Sequence, residues 1–506
     1  MTALPPLGRA LVRSSDFRRR VGIGAPEPAL LELPERAVQF GTGAFLRGFV
    51  DYFLDEANRR GEFGGRVIAV GSTGSGREQA LNAQDGLYTL STQGPDGGPP
   101  RREHRVIASV SRAVSARDDW GEVLACARNP ALALVLSNTT EVGIALDQRD
   151  DVALEPPRSF PGKLARFLHE RSRAFDCDPA TGVVVLPCEL IEDNGERLRE
   201  IVLALATRGR LGRRFARWVE TAVTFCNTLV DRIVPGAPPA DEAARIQQAL
   251  GYRDGLITIC EVYRLFAIEG DDALRERLRF ADADPGIVVT PDIAPYRERK
   301  VRLLNGAHTI AAPTALLCGC ETVREAVEHA LVGRFVRRAM LEEIAPGLDA
   351  PGAVAFMRGV LDRFANPFIR HALLDITLQQ TAKMRVRVVP SVARYAEMAG
   401  RAPASLAFGF AGYLLFVRGG APARPDDLGE RVRSHWAALP DDSDAALAAL
   451  ARAVAADVSL WGTDLTRISG FADAVAAHLV RAARAGVPAA LEAHLAARPT
   501  PAPTPA

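Results

Sequence analysis

Of the 62 cationic side chains in this 506-residue chain, only three are lysine: Lys163, Lys300 and Lys383. Arginine fills nearly every other position at which a positive charge would serve. An ammonium group loses its charge readily when desolvated, whereas guanidinium keeps its own, so lysine can carry a proton to and from a substrate and arginine cannot. One of the three stands in Lys300-Val-Arg-Leu-Leu-Asn305-Gly-Ala-His308. On an α-helix, measured from Lys300, His308 falls at about 80° and Asn305 at about 140°, so the three share one broad face. An amine, an amide and an imidazole are what alcohol oxidation requires. The hydroxyl proton leaves as hydride departs, and the new carbonyl oxygen is held by hydrogen bonds. A single histidine beside an apolar run is more often an ordinary core residue; it is the triplet that makes this segment a candidate catalytic centre.

Other elements must supply the second reactant. A short apolar run, Ala37-Val-Gln-Phe40, leads into Gly41-Thr-Gly43-Ala-Phe45-Leu-Arg47 and then an amphipathic stretch, FVDYFLDEANRR. A strand, a glycine-rich turn and a helix make a phosphate cradle, which predicts cofactor contacts at Gly41, Gly43, Phe45 and Arg47. The third position of the usual fingerprint is Leu46 instead of glycine or alanine. A second strand, RVIAV, ends at Gly71-Ser72-Thr73, where a dinucleotide site normally has an acid for the ribose hydroxyls. With Arg77 close by, both NAD and NADP remain readings. ALALVLSNTTEVGI reads as a strand ending at Ser137, Asn138 and Thr139, which border the cofactor or else cap a helix with Glu141. GVVVLPCELIEDNG reads as another, ending near Pro187 and Glu189. In TFCNTLVDRIVPG the polar Asn227, Asp231 and Arg232 either pair inside the fold or, for Asp231 and Arg232, reach substrate. Gln93 to Arg102 reads as a hairpin tip.

After residue 283 strand-like runs nearly vanish and helical periodicity dominates, as in TVREAVEHALVGRFVRRAMLEEI. The expected fold is α/β: an N-terminal Rossmann-like, doubly wound sheet over residues 1–283, then a mostly α-helical substrate domain over 284–506. RGGAPARPDD, 418–427, reads as a loop, and ARPTPAPTPA as a disordered tail starting near 497. The catalytic segment would open the second domain and face the first across a cleft. Net charge is +1 with both signs interspersed, which argues against a nucleic-acid or anionic-lipid surface. No uncharged run approaches the length of a membrane span, and the first twenty residues lack a leader-like apolar core. Seven scattered cysteines, without a Cys-x-x-Cys pair or neighbouring histidines, read as reduced core thiols of a cytoplasmic protein without a metal site.

Gly41-x-Gly43-x-Phe45-x-Arg47, Asn227-Thr-Leu-Val-Asp231-Arg232 and above all Lys300-x4-Asn305-x2-His308 resemble the mannitol dehydrogenase family of polyol-specific long-chain dehydrogenases. Ser137-Asn-Thr-Thr-Glu-Val-Gly, Pro187-Cys-Glu-Leu-Ile and Arg385-Val-Arg-Val-Val-Pro look most similar to those members that act on sugar acids. The resemblance covers about residues 36 to 410. It implies metal-independent, NAD(H)-linked interconversion of a ketose-like carbonyl and its alcohol, with Lys300 as general base in oxidation and acid in reduction. It also implies that Asn305 and His308 hold the reacting oxygen.

The chain departs from that pattern at two places. Mannitol-oxidising members carry an assisting asparagine where this chain has Leu190, which leaves backbone, Asn138 or Asn227 as substitutes, and they carry an acid after the second strand where it has Gly71 to Thr73. A ketohexuronate would need a cation for its carboxylate, and Arg370, Arg385 and Lys383 are candidates, the resemblance placing a substrate-contacting lysine nearby. Arg387 reads as a solvated helix charge. Fructuronate/mannonate or mannitol-type oxidoreduction, a nucleotide-sensing regulator without turnover, and an epimerase are the alternatives; the residues leave the oligomeric state open.

Overall fold

The computed structural model describes residues 4–19, 23–72, 74, 76–95, 98–139, 143–348, 350, 352–419 and 424–497, the side chain of Arg18 apart. The expected tail beyond Ala497, the loop tip at 420–423, and Thr73 and Glu141 lie outside the described residues. The chain divides into two units, Met1–Ile293 and Ala294–Ala506.

The main sheet of the first unit comprises β1 (Glu35–Phe40), β2 (Arg66–Gly71), β3 (Val110–Ser115), β4 (Leu134–Ser137), β5 (Val184–Pro187) and β6 (Thr224–Phe225). All neighbours are parallel, in the order β3-β2-β1-β4-β5-β6. These strands read as near-continuous aliphatic runs because both faces of the sheet are covered. Ala37, Ala69, Leu134, Leu136, Val184 and Leu186 enter one core with Leu46, Phe49 and Phe53. Val38, Phe40, Ile68, Val70, Val135 and Val185 enter another with Trp120, Phe160, Phe167 and Leu198. This is the doubly wound sheet expected from the sequence. Strand order reverses between β1 and β4, and the carboxyl ends of two such strands border the ligand crevice of this architecture.

Two smaller sheets complete the unit. Tyr88–Gly94 and Arg101–Ile107 pair as an antiparallel hairpin flanked by Thr258–Glu261 and Ile23–Gly24. Thr228–Asp231, Leu265–Glu269 and Ile287–Thr290 form the other. The last of these moves the boundary from 283 to Ile293: a strand of four residues is too short for periodicity to reveal.

The second unit is helical among its described residues. Three stretches are wound as π-helix, Lys300–Gly306, Ala339–Ile344 and Met384–Val388. A central helix, Ala404–Arg418, is buried almost all round and runs against Ala307–Leu317. Close approach is possible because Gly409 and Gly412 leave room; a Cβ at either would collide with Ile310 or Thr314.

Beside that helix the His494 ring stacks on Phe408 at 5.2 Å and meets His478 edge-on at 5.2 Å. Burial pushes His494 down to about 3 and His478 down to about 4. An unfolded imidazole titrates near 6.5, so from about pH 6.5 downward the unfolded chain binds more protons and the fold loses stability as pH falls. At pH 5 the buried His494 ring is expected to cost about 2 kcal/mol relative to pH 8. Thermal unfolding of the full chain at both pH values checks this, and His494→Phe should flatten the slope; an unchanged slope in that variant would remove His494 as its source.

Candidate active site

The turn after β1 is built for close approach to a ligand. Gly41 has φ 139° and its amide donates to the Val70 carbonyl at 2.9 Å. A Cβ there would lie 2.9 Å from Leu46 Cδ1 and 3.2 Å from the Asn138 carbonyl, so only glycine fits. A Cβ at Gly43 would meet nothing within 4 Å, which leaves open space beside the turn. The turn's carbonyls are tied from within the unit: Gln39 Nε2 donates to Gly41 O at 3.0 Å and Arg47 Nη1 to Thr42 O at 2.6 Å. Arg47 is buried, its Nε donating to Thr258 Oγ1 at 3.2 Å, and Phe45 stacks on Phe49 at 5.0 Å. Both side chains thus shape the turn from within the fold.

β4 brings Ser137, Asn138 and Thr139 to the same edge, the Asn138 amide donating to the Phe40 carbonyl at 3.3 Å. They are organised by Glu189, two residues beyond the end of β5. Its buried carboxylate accepts from Ser137 Oγ at 3.0 Å, Thr139 N at 2.9 Å and Thr139 Oγ1 at 3.0 Å, joining the ends of β4 and β5. Burial pushes its carboxyl upward against those hydrogen bonds, which pull downward. A glutamate directly beyond a fully buried strand was the available signal. Neither suggested replacement for the missing amide at Leu190 stands free: Asn138 Nδ2 donates to Cys188 O at 2.7 Å, and Asn227 Oδ1 accepts from Gly195 N and Glu196 N at 3.1 Å each. Leu190 itself is 57% exposed.

At the end of β2 an acid is present after all, from the next helix. Glu78, on Arg77–Ala83, folds back over Gly71, where a Cβ would collide with its carboxylate. Glu78 is 3% exposed, and its Oε1 has no hydrogen-bond partner among the described residues. Asp231 and Arg232 are both buried. Arg232 Nη1 donates to Gly48 O at 2.7 Å and Nε to Glu261 O at 3.0 Å, and its guanidinium lies 4.8 Å from the Tyr52 ring. These contacts fasten the helix that follows the glycine turn.

The second unit assembles the triplet in an unexpected winding. Lys300, 9% exposed, opens the π-helix, Asn305 lies in it, and His308 begins the following α-helix, Ala307–Leu317. The i→i+5 bonding of a π-helix brings residues five apart toward one face, tightening the broad arc of an α-helix. His308 stacks on Phe364 at 4.0 Å and meets His371 at 5.2 Å. Its Nε2 is shut off from solvent with no hydrogen-bond partner among the described residues. Burial, then the neighbouring His371, Arg363, Arg387 and Lys383, holds the imidazole well below its usual range, so the ring is neutral and can donate a hydrogen bond to an oxygen.

The other sequence candidates scatter. Lys383 Nζ donates to Ile376 O at 2.9 Å. Arg370 turns to solvent, 80% exposed and 3.6 Å from Glu321. Arg385 lies over Gly462, 3.0 Å from where a Cβ would stand. Arg387, expected as a solvated charge, is instead half-buried and turned to Thr309 Oγ1 at 3.4 Å. Among the described residues there is no group of three or more His, Cys, Asp or Glu able to hold a metal ion, and no helix long and apolar enough to cross a membrane.

Altronate oxidoreductase of Bacillus subtilis (strain 168) is 42% identical over 461 residues, 91% of this chain and 95% of its own length. That of Pectobacterium carotovorum subsp. carotovorum (strain PC1) is 41% identical over 475 residues, 91% of this chain and 97% of its own. Mannitol 2-dehydrogenase of Pseudomonas fluorescens, solved as a ternary complex with NAD and D-mannitol, shares the fold at TM-score 0.70 and 23% identity, covering 97% of this chain and 99% of that one. A D-sorbitol dehydrogenase does so at TM-score 0.78 and 23% identity, covering 95% and 99%. Residues 35–281 match the mannitol dehydrogenase Rossmann domain and residues 292–482 the mannitol dehydrogenase C-terminal domain, and the chain belongs to the mannitol dehydrogenase family.

Proposed function

We propose that this chain is an NAD(H)-dependent oxidoreductase that interconverts D-tagaturonate and D-altronate, with Lys300 carrying the proton and no metal taking part. The observation that carries the reading is a buried lysine and an amide in one π-wound turn, with an unpartnered imidazole nitrogen two residues past its end. The relatives named altronate oxidoreductase, alike over nearly their whole length, support the sugar-acid pair.

The nucleotide unit fits a dinucleotide: the space beside Gly43 admits a pyrophosphate, and the carbonyls of Gly41 and Thr42 are already engaged within the unit. When bound, the nicotinamide supplies hydride to the carbonyl carbon or accepts it from the alcohol. Lys300 gives the carbonyl oxygen its proton in reduction and removes the hydroxyl proton in oxidation. Asn305 and His308 Nε2 hold the oxygen as charge develops on it. Asp231 and Lys383 are the proposed substrate contacts; Arg47 and Arg232 position the turn and its helix. Coupled reduced-nicotinamide absorbance should show turnover with tagaturonate far above fructuronate, fructose or mannitol; absence of net NADH consumption with every ketohexuronate would overturn the reading in favour of a sensor or an epimerase.

Glu78 argues for NAD over NADP. Its carboxylate stands where an acid ordinarily receives the ribose hydroxyls, and a 2′-phosphate there would meet a like charge. Glu78→Lys is expected to move the NADH-to-NADPH preference by about 100-fold toward NADPH, since like-charge juxtaposition costs several kcal/mol. A preference unmoved by the substitution would assign cofactor choice to another residue.

A further inference from the structure

We propose that Arg387, with Lys383 four residues before it, receives the carboxylate of the sugar-acid substrate and so selects a hexuronate over a neutral ketose. The inference rests on the function proposed above and deepens it.

The segment Lys383-Met-Arg385-Val-Arg387 places three cations within five residues, and the π-helix Met384–Val388 sorts them. Arg385 is directed to Gly462. Arg387 turns instead to the helix that carries His308, donating to Thr309 Oγ1 at 3.4 Å; that hydroxyl donates in turn to the Asn305 carbonyl at 2.7 Å. The guanidinium is therefore two hydrogen bonds from the backbone of the amide that holds the reacting oxygen, and it contacts the residue next to the imidazole.

Its backbone is pinned to the same turn. Arg302 Nη1 donates to the carbonyls of Val386 at 2.5 Å and Arg387 at 3.3 Å. Gly306 permits the crossing, since a Cβ there would already lie 3.2 Å from the Arg387 carbonyl. Two π-wound turns thus meet, one bearing Lys300 and Asn305 and leading into His308, the other following Lys383 and bearing Arg385 and Arg387. This fixes the reach of Arg387 relative to Asn305 and His308, as selection between two ends of one small molecule demands.

The local field has the matching sign. After burial, the four groups that act most on His308 are His371, Arg363, Arg387 and Lys383, and each lowers its proton affinity. A carboxylate held by guanidinium in bidentate fashion is a strong, charge-assisted pairing. Arg370 is exposed and near Glu321 and Arg385 is directed to Gly462, whereas Arg387 faces the helix that carries His308.

The test uses the full chain with Arg387→Met and Arg387→Lys. kcat/KM is measured with NADH for tagaturonate and for its neutral counterpart, tagatose, and thermal unfolding is recorded for each variant. Losing one arm of a charged pair should lower the uronate-to-ketose preference by on the order of 100-fold in Arg387→Met, mainly through KM, with Arg387→Lys recovering part of it. An unchanged preference, or equal losses on both substrates, would overturn the assignment, because a merely structural arginine does not discriminate between them. If the unsubstituted chain turns over no ketohexuronate, the functional reading fails; if it does and the preference survives Arg387→Met, only this inference fails.

Discussion

Lys300→Ala is expected to lower turnover by about a thousandfold while the dissociation constant for NADH stays within a factor of about two, the size expected when a positioned acid–base group is removed. The lysine is 9% exposed at the start of the π-wound turn, and the glycine turn that would hold the dinucleotide belongs to another unit of the chain. Chemistry and cofactor binding should therefore separate cleanly. Stopped-flow reduction of a ketohexuronate and fluorescence titration with NADH, run side by side, measure both. Partial rescue by small primary amines would identify the missing group as a proton carrier. A variant with ordinary turnover would end the assignment, and so would one whose only defect is weaker NADH binding.

The second large effect concerns Glu189. Its carboxylate takes three hydrogen bonds from Ser137 and Thr139 in a buried position. Glu189→Ala would leave the buried Ser137 hydroxyl and the half-buried Thr139 donors without their acceptor, at a cost of about 2 kcal/mol of stability. The loss should appear as a lower urea midpoint in the full chain. Because Ser137 to Thr139 lie beside Gly41 at the reversal of strand order, NADH affinity should fall as well. Glu189→Gln, which keeps the shape but replaces one acceptor by a donor, should fall between the two. If Glu189→Ala unfolds at the same urea concentration as the parent, the carboxylate is not the tie between β4 and β5.

Several elements were legible before any coordinates. β1 and the Gly41/Gly43 turn announce themselves because a strand buried on both faces must be aliphatic, and Gly41 adopts a backbone conformation that side chains rarely allow. Lys300, Asn305 and His308 stand out by type, since one amine among so many guanidinium groups is chemically distinct. Gly71 looked like evidence of a missing acid, but it is glycine because Glu78 lies over it. A strand-end pattern cannot show that, since the acid comes from the following helix.

What the chain alone determined is therefore the doubly wound sheet, and with it the candidate set of reactive groups, both read from residue type and short-range pattern. What only tertiary structure decided is direction. The π-winding of Lys300–Gly306, packed against Met384–Val388, replaces the angle between Lys300 and Asn305 that a regular α-helix would set. The same crossing sends Arg387 inward and Arg385 to Gly462, while Arg370 turns out to solvent. The physical reason is that helical spacing fixes angles only while the winding stays regular. A shift from i→i+4 to i→i+5 bonding is stabilised by packing between segments far apart in sequence, and no local pattern records it.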